Sequence, residues 1–238
     1  IRSEGTMGGV ISDNLDDLPY LTAKAAAVDL KGDQVKYVSR KNIMRYGNGG
    51  CRIVMLDLGS KRGVLDSFLQ RGCELIAVPA STGADEILAL EPHGVYISDG
   101  PGDPREVPYA METVRALAES RPLFGVGLGH QIIAQALGAD IVKLEHGHRG
   151  SNHPVRDPAR KRVYITTQNH SYAVDEDSVA GTELQVTLRS LNDGSVEGIR
   201  HKRLPIASVQ FDPEGYVGYS DTGFFFTEFL QACRPPSS

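Results

Sequence analysis

At 238 residues the chain is long enough for one α/β domain with a substantial core and a smaller appendage. Hydrophobic residues make up 40% and charged residues 23%, and the net charge of -5 offers no broad basic surface, so we expect small-molecule or protein partners and no nucleic acid. Three cysteines without zinc-ligand spacing, no apolar run of about 20 residues and no signal-peptide pattern predict a cytoplasmic protein that binds no membrane.

Residues 1–50 have mixed patterns. Residues 5–11 form a candidate strand, residues 18–29 have loose helical spacing, and the glycine-rich run at 46–50 predicts a linker. We expect residues 51–234 to form the main domain and residues 235–238 to form a disordered tail. Because Ile1 stands where an initiator methionine is usual, we interpret the opening as processed or as part of a longer chain.

From Cys51 onward, short apolar runs alternate with amphipathic segments. The pattern predicts strands at 52–58, 74–79 and 94–98, and helices at 62–71, 84–90 and 108–119. Residues 140–210 have more strand character, with runs at 163–167, 184–188, 196–199 and 206–209, and residues 224–232 predict a closing helix. The alternation predicts a mostly parallel sheet covered by helices on both faces, with ligands at the carboxyl ends of its strands.

Residues 124–131 join a predicted buried strand at 121–126 to a segment of helical spacing at 131–137. Such a strand–turn–helix lifts one side chain above the sheet in a strained conformation, and the helix start offers N–H groups to negative charge. The sequence therefore predicts a nucleophile position at this turn. Gly125, Gly127 and Gly129 lack the register of a dinucleotide-binding motif.

Gly-Val-Gly-Leu-Gly-His-Gln at 125–131 resembles the nucleophile elbow of class I glutamine amidotransferases, which carry cysteine where this chain has Gly127. The resemblance implies a class I glutamine amidotransferase-like, flavodoxin-like α/β fold. It also implies that thiol chemistry is absent, because glycine accepts positive φ but supplies no sulfur.

Four further motifs narrow the resemblance to bacterial small subunits of carbamoyl-phosphate synthase. They are Gly-Pro-Gly-Asp-Pro at 100–104, Gly-His-Arg-Gly-Ser-Asn-His-Pro-Val at 147–155, Thr-Gln-Asn-His at 167–170 and Asp-Pro-Glu at 212–214. The resemblance covers residues 51 to about 232. It implies that residues 1–50 are a remnant of that subunit's N-terminal domain and linker.

The same resemblance implies roles for individual residues. Oxyanion-hole N–H groups fall on Gly100 and Leu128. The implied substrate contacts are Gly102, Gln131, Asn169, Ser171 and Tyr172. Ser171 replaces a glycine of the family pattern, so that a Cβ and a hydroxyl intrude where the backbone is expected to touch the ligand.

The base position also differs from the family pattern. Asp212 stands where the family has the histidine general base, and Glu214 matches the residue that orients this base. The unperturbed pKa of an aspartate lies near 4, whereas that of a thiol lies near 8.5, so Asp212 is a poor proton acceptor for a cysteine. The sequence therefore predicts that both chemical positions of the triad are lost.

His146, His148 and His153 raise the hypothesis of a metal site. The sequence argues against it, because the resemblance implies no metal in this run and no carboxylate or cysteine falls at ligand spacing. We therefore expect no metal and no cofactor in this chain, since ATP and metal belong to the large subunit of the family.

In the family, the small subunit hydrolyses glutamine through a cysteinyl thioester and passes ammonia to a large subunit that uses ATP and bicarbonate, in pyrimidine or arginine biosynthesis. Loss of nucleophile and base predicts a small-subunit homologue without glutaminase activity, which is the structural or regulatory partner of a large subunit in a heterodimer. Two alternatives stay open. One is a disabled variant of an ordinary subunit, and the other is a repurposed hydrolase in which Asp212, Glu214 and His130 or His170 activate water. Glutamine or an analogue is a further candidate ligand.

Overall fold

The computed structural model of the chain describes residues 8–14, 16–28, 32–215 and 221–234. Within these ranges the helices are α1 Leu18–Ala26, α2 Val35–Val38, α3 Arg62–Gln70, α4 Ala84–Leu88, α5 Pro108–Leu117, α6 Leu128–Ala136, α7 Glu176–Val179 and α8 Phe224–Ala232. The strands are β1 Met44–Tyr46, β2 Cys51–Asp57, β3 Cys73–Pro79, β4 Gly94–Ile97, β5 Leu123–Val126, β6 Ile141–Asp157, β7 Arg162–Val174, β8 Leu184–Ser190, β9 Val196–His201 and β10 Ile206–Val209. None of these helices is long and apolar enough to cross a bilayer.

All the strands just given lie in one sheet, in the order β1-β3-β2-β4-β5-β10-β9-β7-β6-β8. The central strands from β3 to β10 are parallel to one another. β1 is antiparallel on one edge, and β9, β7, β6 and β8 form an antiparallel extension on the other side. Because β8 also pairs with β9, these last four strands close on one another.

Helices cover both faces of the parallel part, which explains why β2, β3 and β4 are almost continuously apolar. One face packs against α5 and α6, with residues such as Val114 and Ile132 completely buried. The other face packs against α3 and α8. There the ring of Phe68 meets those of Tyr96 and Phe226 edge to face, each at 5.2 Å between centroids. The predicted layer architecture is confirmed for this half of the sheet.

Two sequence predictions were wrong in detail. Residues 8–11, the described part of the candidate strand at 5–11, form no strand, and residues 5–7 lie outside the described ranges. The long strand β6 was not predicted, because its polar and glycine-rich stretch at 146–153 has no apolar alternation. Its backbone N–H and C=O groups form hydrogen bonds with β7, and the register shifts between Lys143 and His148 and between Gly150 and His153. The predicted tail at 235–238 and the last predicted helical residue, Asp29, also lie outside the described residues.

Part of the region before residue 50 packs on the sheet. β1 pairs with β3, with Met44 opposite Ala77. The side chain of Val35 is completely buried, and Arg40 forms an ion pair with Asp57 at 3.1 Å. The predicted domain boundary at residue 50 therefore follows a strand that belongs to the common sheet, and the boundary stays a prediction.

Four connecting segments lie together at one edge of the sheet, because the carboxyl ends of the parallel strands all lie at that edge. These segments are 58–61 after β2, 98–100 after β4, Gly127 after β5 and 210–212 after β10. Helix α6 begins directly after Gly127 and approaches β4 closely, since the Gly129 N–H donates to the Ser98 carbonyl at 3.1 Å. The predicted positions Gly100, Gly127 and Asp212 lie at this edge.

Candidate functional site

The turn between β5 and α6 has the strained geometry expected of a nucleophile elbow. Gly127 is the N-cap of α6, with φ 55° and ψ -113°. Its N–H donates to the Val209 carbonyl of β10 at 3.0 Å, which fixes the turn against the neighbouring strand. A positive φ costs residues other than glycine roughly 1–3 kcal/mol. Glycine therefore keeps the elbow without its strain, but presents no side chain at its apex.

A neighbouring carboxylate fills the space above Gly127. The Leu128 N–H donates to Asp99 Oδ1 at 2.9 Å, and the backbone of Gly100 also hydrogen-bonds to this carboxylate. A Cβ added to Gly127 would overlap Oδ1 and Cγ of Asp99 and lie 3.1 Å from its Cβ. Asp99 thus occupies the place of the missing nucleophile and engages both predicted oxyanion donors.

Asp99 belongs to a cluster of charges with Asp212, Glu214 and Lys61. Burial, and then the charge of Asp212, raise the pKa of Asp99 to about 6 against the hydrogen bonds from Leu128 and Gly100. Burial, and then Asp212, also raise the pKa of Glu214 to about 7. Three carboxyl groups therefore share one ammonium group, and two of them hold their protons to unusually high pH.

The Asp212 carboxylate, at the predicted base position, forms an ion pair with Lys61 at the N-cap of α3. Burial lowers the pKa of Lys61 and the Asp212 charge raises it, with a net rise. The Asp212 backbone is also fixed, because its N–H donates to the Thr167 carbonyl at 3.0 Å. The carboxylate at the predicted base position is thus engaged by a cation.

Glu214 packs against the start of α3, since a Cβ added to Gly63 would lie 3.3 Å from Glu214 Cγ. Within the described ranges its Oε2 is buried without a hydrogen-bond partner. Among the described contacts, Oε2 of the residue predicted to orient the base therefore orients no other side chain.

The predicted substrate contacts form a wall beside the elbow. Gln131 Nε2 donates to the Tyr172 carbonyl and to Gln210 Oε1, both at 3.1 Å. The Arg105 guanidinium lies 5.7 Å above the Tyr172 ring, which ties β7 to the loop that follows Gly102. The wall is thus occupied by contacts within the chain.

The other three predicted contacts differ in exposure. The Ser171 hydroxyl accepts from Arg149, so the intruding side chain is held in place. Asn169 is exposed on β7, and Gly102 is exposed with a φ of 96°.

His130 and His170 do not join the acidic cluster. His130 Nδ1 lies 2.8 Å from the Ser208 hydroxyl, and burial lowers the pKa of His130 to about 3. His170 contacts the Tyr172 carbonyl and Gln168, and burial lowers its pKa to about 4. Among the described contacts, neither ring touches Asp212 or Glu214. The water-activating arrangement of the alternative hydrolase hypothesis gains no support from them.

Sequence reasoning missed Asp99 and Lys61. Asp99 directly follows a predicted strand at the ligand edge, and that position was a signal that its side chain could reach the elbow. Lys61 meets Asp212 across 151 residues of sequence, and no local pattern indicates this contact.

A crevice of about 660 Å³ lies beside α8 on the sheet face formed by β8, β9 and β10. Its apolar lining includes Leu188, Val209, Phe225 and Phe229. None of the predicted site residues lines it. The crevice is therefore separate from the predicted site residues.

The likeness of the chain to known proteins covers nearly its whole length. A sequence profile of the class I glutamine amidotransferase family matches residues 54–232. The carbamoyl phosphate synthase small chain of Clostridium acetobutylicum is 44% identical over 230 residues, which cover 97% of this chain and 66% of that protein. The small chain of Listeria monocytogenes is 46% identical over 231 residues, which cover 97% of this chain and 64% of that protein. The chain thus spans just under two thirds of these relatives.

Two solved structures share the fold. A Thermoplasma acidophilum protein described as a GMP synthase subunit superposes with a TM-score of 0.67 at 22% identity, over 77% of this chain and 94% of that one. A glutamine amidotransferase of Thermotoga maritima superposes with a TM-score of 0.56 at 13% identity, over 71% of this chain and 78% of that one. The predicted class I glutamine amidotransferase-like architecture is confirmed.

We predict that Gly127→Ala lowers the free energy of unfolding by roughly 1–3 kcal/mol, because alanine pays the positive-φ cost and must also displace Asp99. Urea unfolding measures the loss. Gly181→Ala is the control, since an added Cβ there meets nothing within 4 Å. In an Asp99→Ala background the loss should shrink, because part of the overlap is gone. An unfolding free energy of Gly127→Ala equal to or above that of the parent would contradict this elbow geometry.

We also predict that Asp99 makes stability fall as pH rises. Its folded pKa of about 6 lies above the ordinary 3.8, so the folded state binds more protons between these values. The stabilisation is complete below about pH 4 and lost through pH 6. Between pH 4 and pH 8, Asp99→Asn should therefore gain roughly 1–3 kcal/mol relative to the parent in urea unfolding.

The control for this pH series is Glu112→Gln on the exposed side of α5. Its stability should follow the parent at every pH. If the unfolding free energies of Asp99→Asn and of the parent change in parallel with pH, the raised pKa of Asp99 is contradicted.

Proposed function

The chain belongs to the class I glutamine amidotransferase family and is a homologue of carbamoyl phosphate synthase small chains, and we propose that it is a small chain without glutaminase activity that serves as the structural or regulatory partner of a synthase large chain. In this proposal it acts in the cytoplasm, in a heterodimer whose large chain receives free ammonia. The geometry of the elbow supports the absence of glutaminase activity, and the preserved fold supports the role as a partner of the large chain.

The single observation that carries the proposal is the Asp99 carboxylate above Gly127. A thioester requires a thiol, and position 127 has no side chain. The amide of a substrate would develop negative charge at its carbonyl oxygen, and the donors for that charge already hold a carboxylate. An anion beside a developing oxyanion raises the barrier instead of lowering it. Acyl transfer is therefore opposed at the elbow on two grounds.

The base position supports the same conclusion. Position 212 carries a carboxylate paired with Lys61, where the family pattern has the imidazole of a general base. Glu214, whose pKa is raised to about 7 by burial, is partly protonated near neutral pH and has no imidazole to orient. General-base catalysis needs an unprotonated acceptor within hydrogen-bond reach.

The differences from the family pattern are mutually consistent, which favours an established inactive chain over a single disabling change in an ordinary small chain. Glycine at position 127 makes room for the Asp99 side chain. Lys61 balances the charge of Asp212, which would otherwise face Asp99 and Glu214 without compensation. An isolated loss of cysteine would not also have changed the base position, where this chain has Asp212.

The fold around this centre is intact, as a binding partner requires. The elbow keeps its conformation, both faces of the parallel sheet are packed, and Gln131 still fastens α6 to β7. The departures from the family pattern that the sequence indicates, at Gly127, Ser171 and Asp212, do not interrupt this packing. This distribution suits a chain whose surface and stability are still needed while its chemistry is not.

We predict that the chain releases no glutamate from glutamine and that thiol reactivity is restored only in stages. In Gly127→Cys, alkylation of the introduced thiol by a glutamine-like electrophile should be slow, because nearby carboxylates raise the pKa of that thiol. It should be faster in Gly127→Cys/Asp212→His, and fastest after Asp99→Ala is added, because that change frees space and the Leu128 N–H. Mass spectrometry of the labelled peptide measures each rate.

Alkylation of the native cysteines in the parent chain is the internal control. Burial raises the pKa of Cys73 to about 11, so its reaction should be slow and equal in every variant. Equal rates for the Gly127→Cys single variant and the triple variant would mean that Asp99 and Asp212 do not face the elbow. Glutamate release by the parent at about one per second, an ordinary enzyme rate, would refute the inactive state itself.

We predict that the chain co-purifies with a carbamoyl phosphate synthase large chain from the same organism. The assembled complex should form carbamoyl phosphate from ammonium and not from glutamine, because the small chain cannot release ammonia. The two nitrogen sources, tested on one preparation, are each other's control. Failure of the two chains to associate would refute the partner role, whereas product from glutamine would refute the loss of hydrolysis.

A further inference from the structure

Three buried side chains from three strands of the antiparallel extension converge outside the elbow. They are His148 of β6, His170 of β7 and Glu197 of β9, with exposures of 7%, 8% and 0%. Glu197 Oε1 lies 3.2 Å from His148 Nδ1 and 3.9 Å from His170 Nε2. One ligand atom of each residue lies within 4.8 Å of the other two. Two imidazole nitrogens and a carboxylate oxygen therefore surround one point.

The far side of each imidazole is anchored. His148 Nε2 lies 2.9 Å from Asp193 Oδ2, and His170 Nδ1 lies 2.8 Å from the Tyr172 carbonyl. Because each outer nitrogen donates its proton to an oxygen, the inner nitrogen of a neutral ring presents a lone pair to the cluster. Histidine ligands of metal ions are held in this way by carboxylates and backbone carbonyls.

On the inner side, hydrogen-bond acceptors outnumber donors, because the one described group that can carry positive charge there is the His148 imidazole, 3.2 Å from Glu197 Oε1. His170 Nε2 faces Gln168 Oε1 at 3.1 Å, and two acceptors in contact repel one another unless a cation lies between them. Glu197 Oε1 is buried without a hydrogen-bond partner among the described residues. Glu197 on the inner side and Asp193 on the outer side thus flank one imidazole, which supplies one positive charge when it is protonated. An unpaired buried charge is costly, so the cluster favours an additional cation.

We propose that His148, His170 and Glu197 form a binding site for Zn²⁺ or a divalent transition-metal ion of its class. Two histidines and one glutamate are an ordinary zinc ligand set, whereas Mg²⁺ and Ca²⁺ prefer oxygen ligands alone. Zinc with Glu197 and Asp193 gives an assembly of zero net charge. Zinc–ligand bonds of about 2.0–2.2 Å in a tetrahedron separate ligand atoms by roughly 3.3–3.6 Å, close to the separations from Glu197 Oε1.

Gln168 completes the proposed site. Its Oε1 stands 2.7 Å from His148 Nδ1 and 3.1 Å from His170 Nε2, at the point that both rings face. Its Nε2 donates to Glu197 Oε2 at 2.9 Å, so the amide also orients the carboxylate. On metal binding the amide oxygen withdraws from this point and becomes the fourth ligand.

The bound ion would act as a cross-link. It joins β6, β7 and β9 where the described ladder between β7 and β9 consists of the pair Val174 and Val196. The segment it fastens runs through Asn169, Ser171 and Tyr172, the predicted substrate wall. The site is therefore structural, and it does not depend on the loss of chemistry at Gly127.

The decisive experiment is metal binding by the full chain after treatment with a chelator. We expect one Zn²⁺ retained per chain after gel filtration, and visible absorption from Co²⁺ in a tetrahedral nitrogen and oxygen field. Glu197→Gln keeps the size of the side chain and should weaken Zn²⁺ binding at least tenfold. His146→Gln on the same strand as His148 is the matched control, because His146 is 70% exposed and should leave binding unchanged.

Asp193→Asn provides a second measurement in case Glu197→Gln fails to fold. Asp193 is 43% exposed and anchors His148 from outside the ligand set, so its loss should weaken Zn²⁺ binding by about 10–100-fold while the chain stays folded. Zinc should also raise the thermal midpoint of the parent more than that of this variant. No retained zinc in the parent, or parental affinity in Asp193→Asn, would overturn the proposal and leave a cluster bridged by protons only.

Discussion

The hydrogen bond from the Leu128 N–H to the Asp99 carboxylate governs the polar edge of this protein. The first N–H groups of a helix have no partner within the helix and carry partial positive charge, so they require an anion or a water. In an acyl-transfer enzyme that place must be vacant for the substrate. Here the chain fills it from the neighbouring strand, and Gly127 is the residue small enough to permit the contact. The ion pair of Lys61 with Asp212 then limits the charge that accumulates beside it.

Sequence patterns predicted the parts of the fold whose apolar residues repeat regularly. The closing helix at 224–232 and the alternation of β2 to α6 are examples, because burial alone determines them. Strand β6 escaped prediction since a backbone ladder with β7, not side-chain burial, holds its polar stretch. Motifs pointed to Gly127 and Asp212 as chemical positions. The contacts of Asp99, Lys61 and Glu197 join separate strands and loops, so no local pattern reveals them.

Helix α6, which begins at the elbow, and the histidine cluster both contact one backbone carbonyl group. The Tyr172 carbonyl accepts from Gln131 Nε2 at 3.1 Å and lies 2.8 Å from His170 Nδ1, so it uses both of its lone pairs. α6, which begins at the elbow, is therefore fastened through a single carbonyl to the ring that we assign to a metal ion. The protein keeps a continuous polar framework behind the predicted substrate wall, although position 127 in front of that wall carries no side chain.

The short strand β1 covers the outer side of β3, whose partner on its other side is β2. Without β1, the backbone N–H and C=O groups of residues 75–77 that face β1 would be unpaired at the edge of the sheet. Such margins recruit strands from other molecules and promote aggregation. Met44–Tyr46 thus covers this edge, and a chain that starts at residue 51 is expected to aggregate more readily.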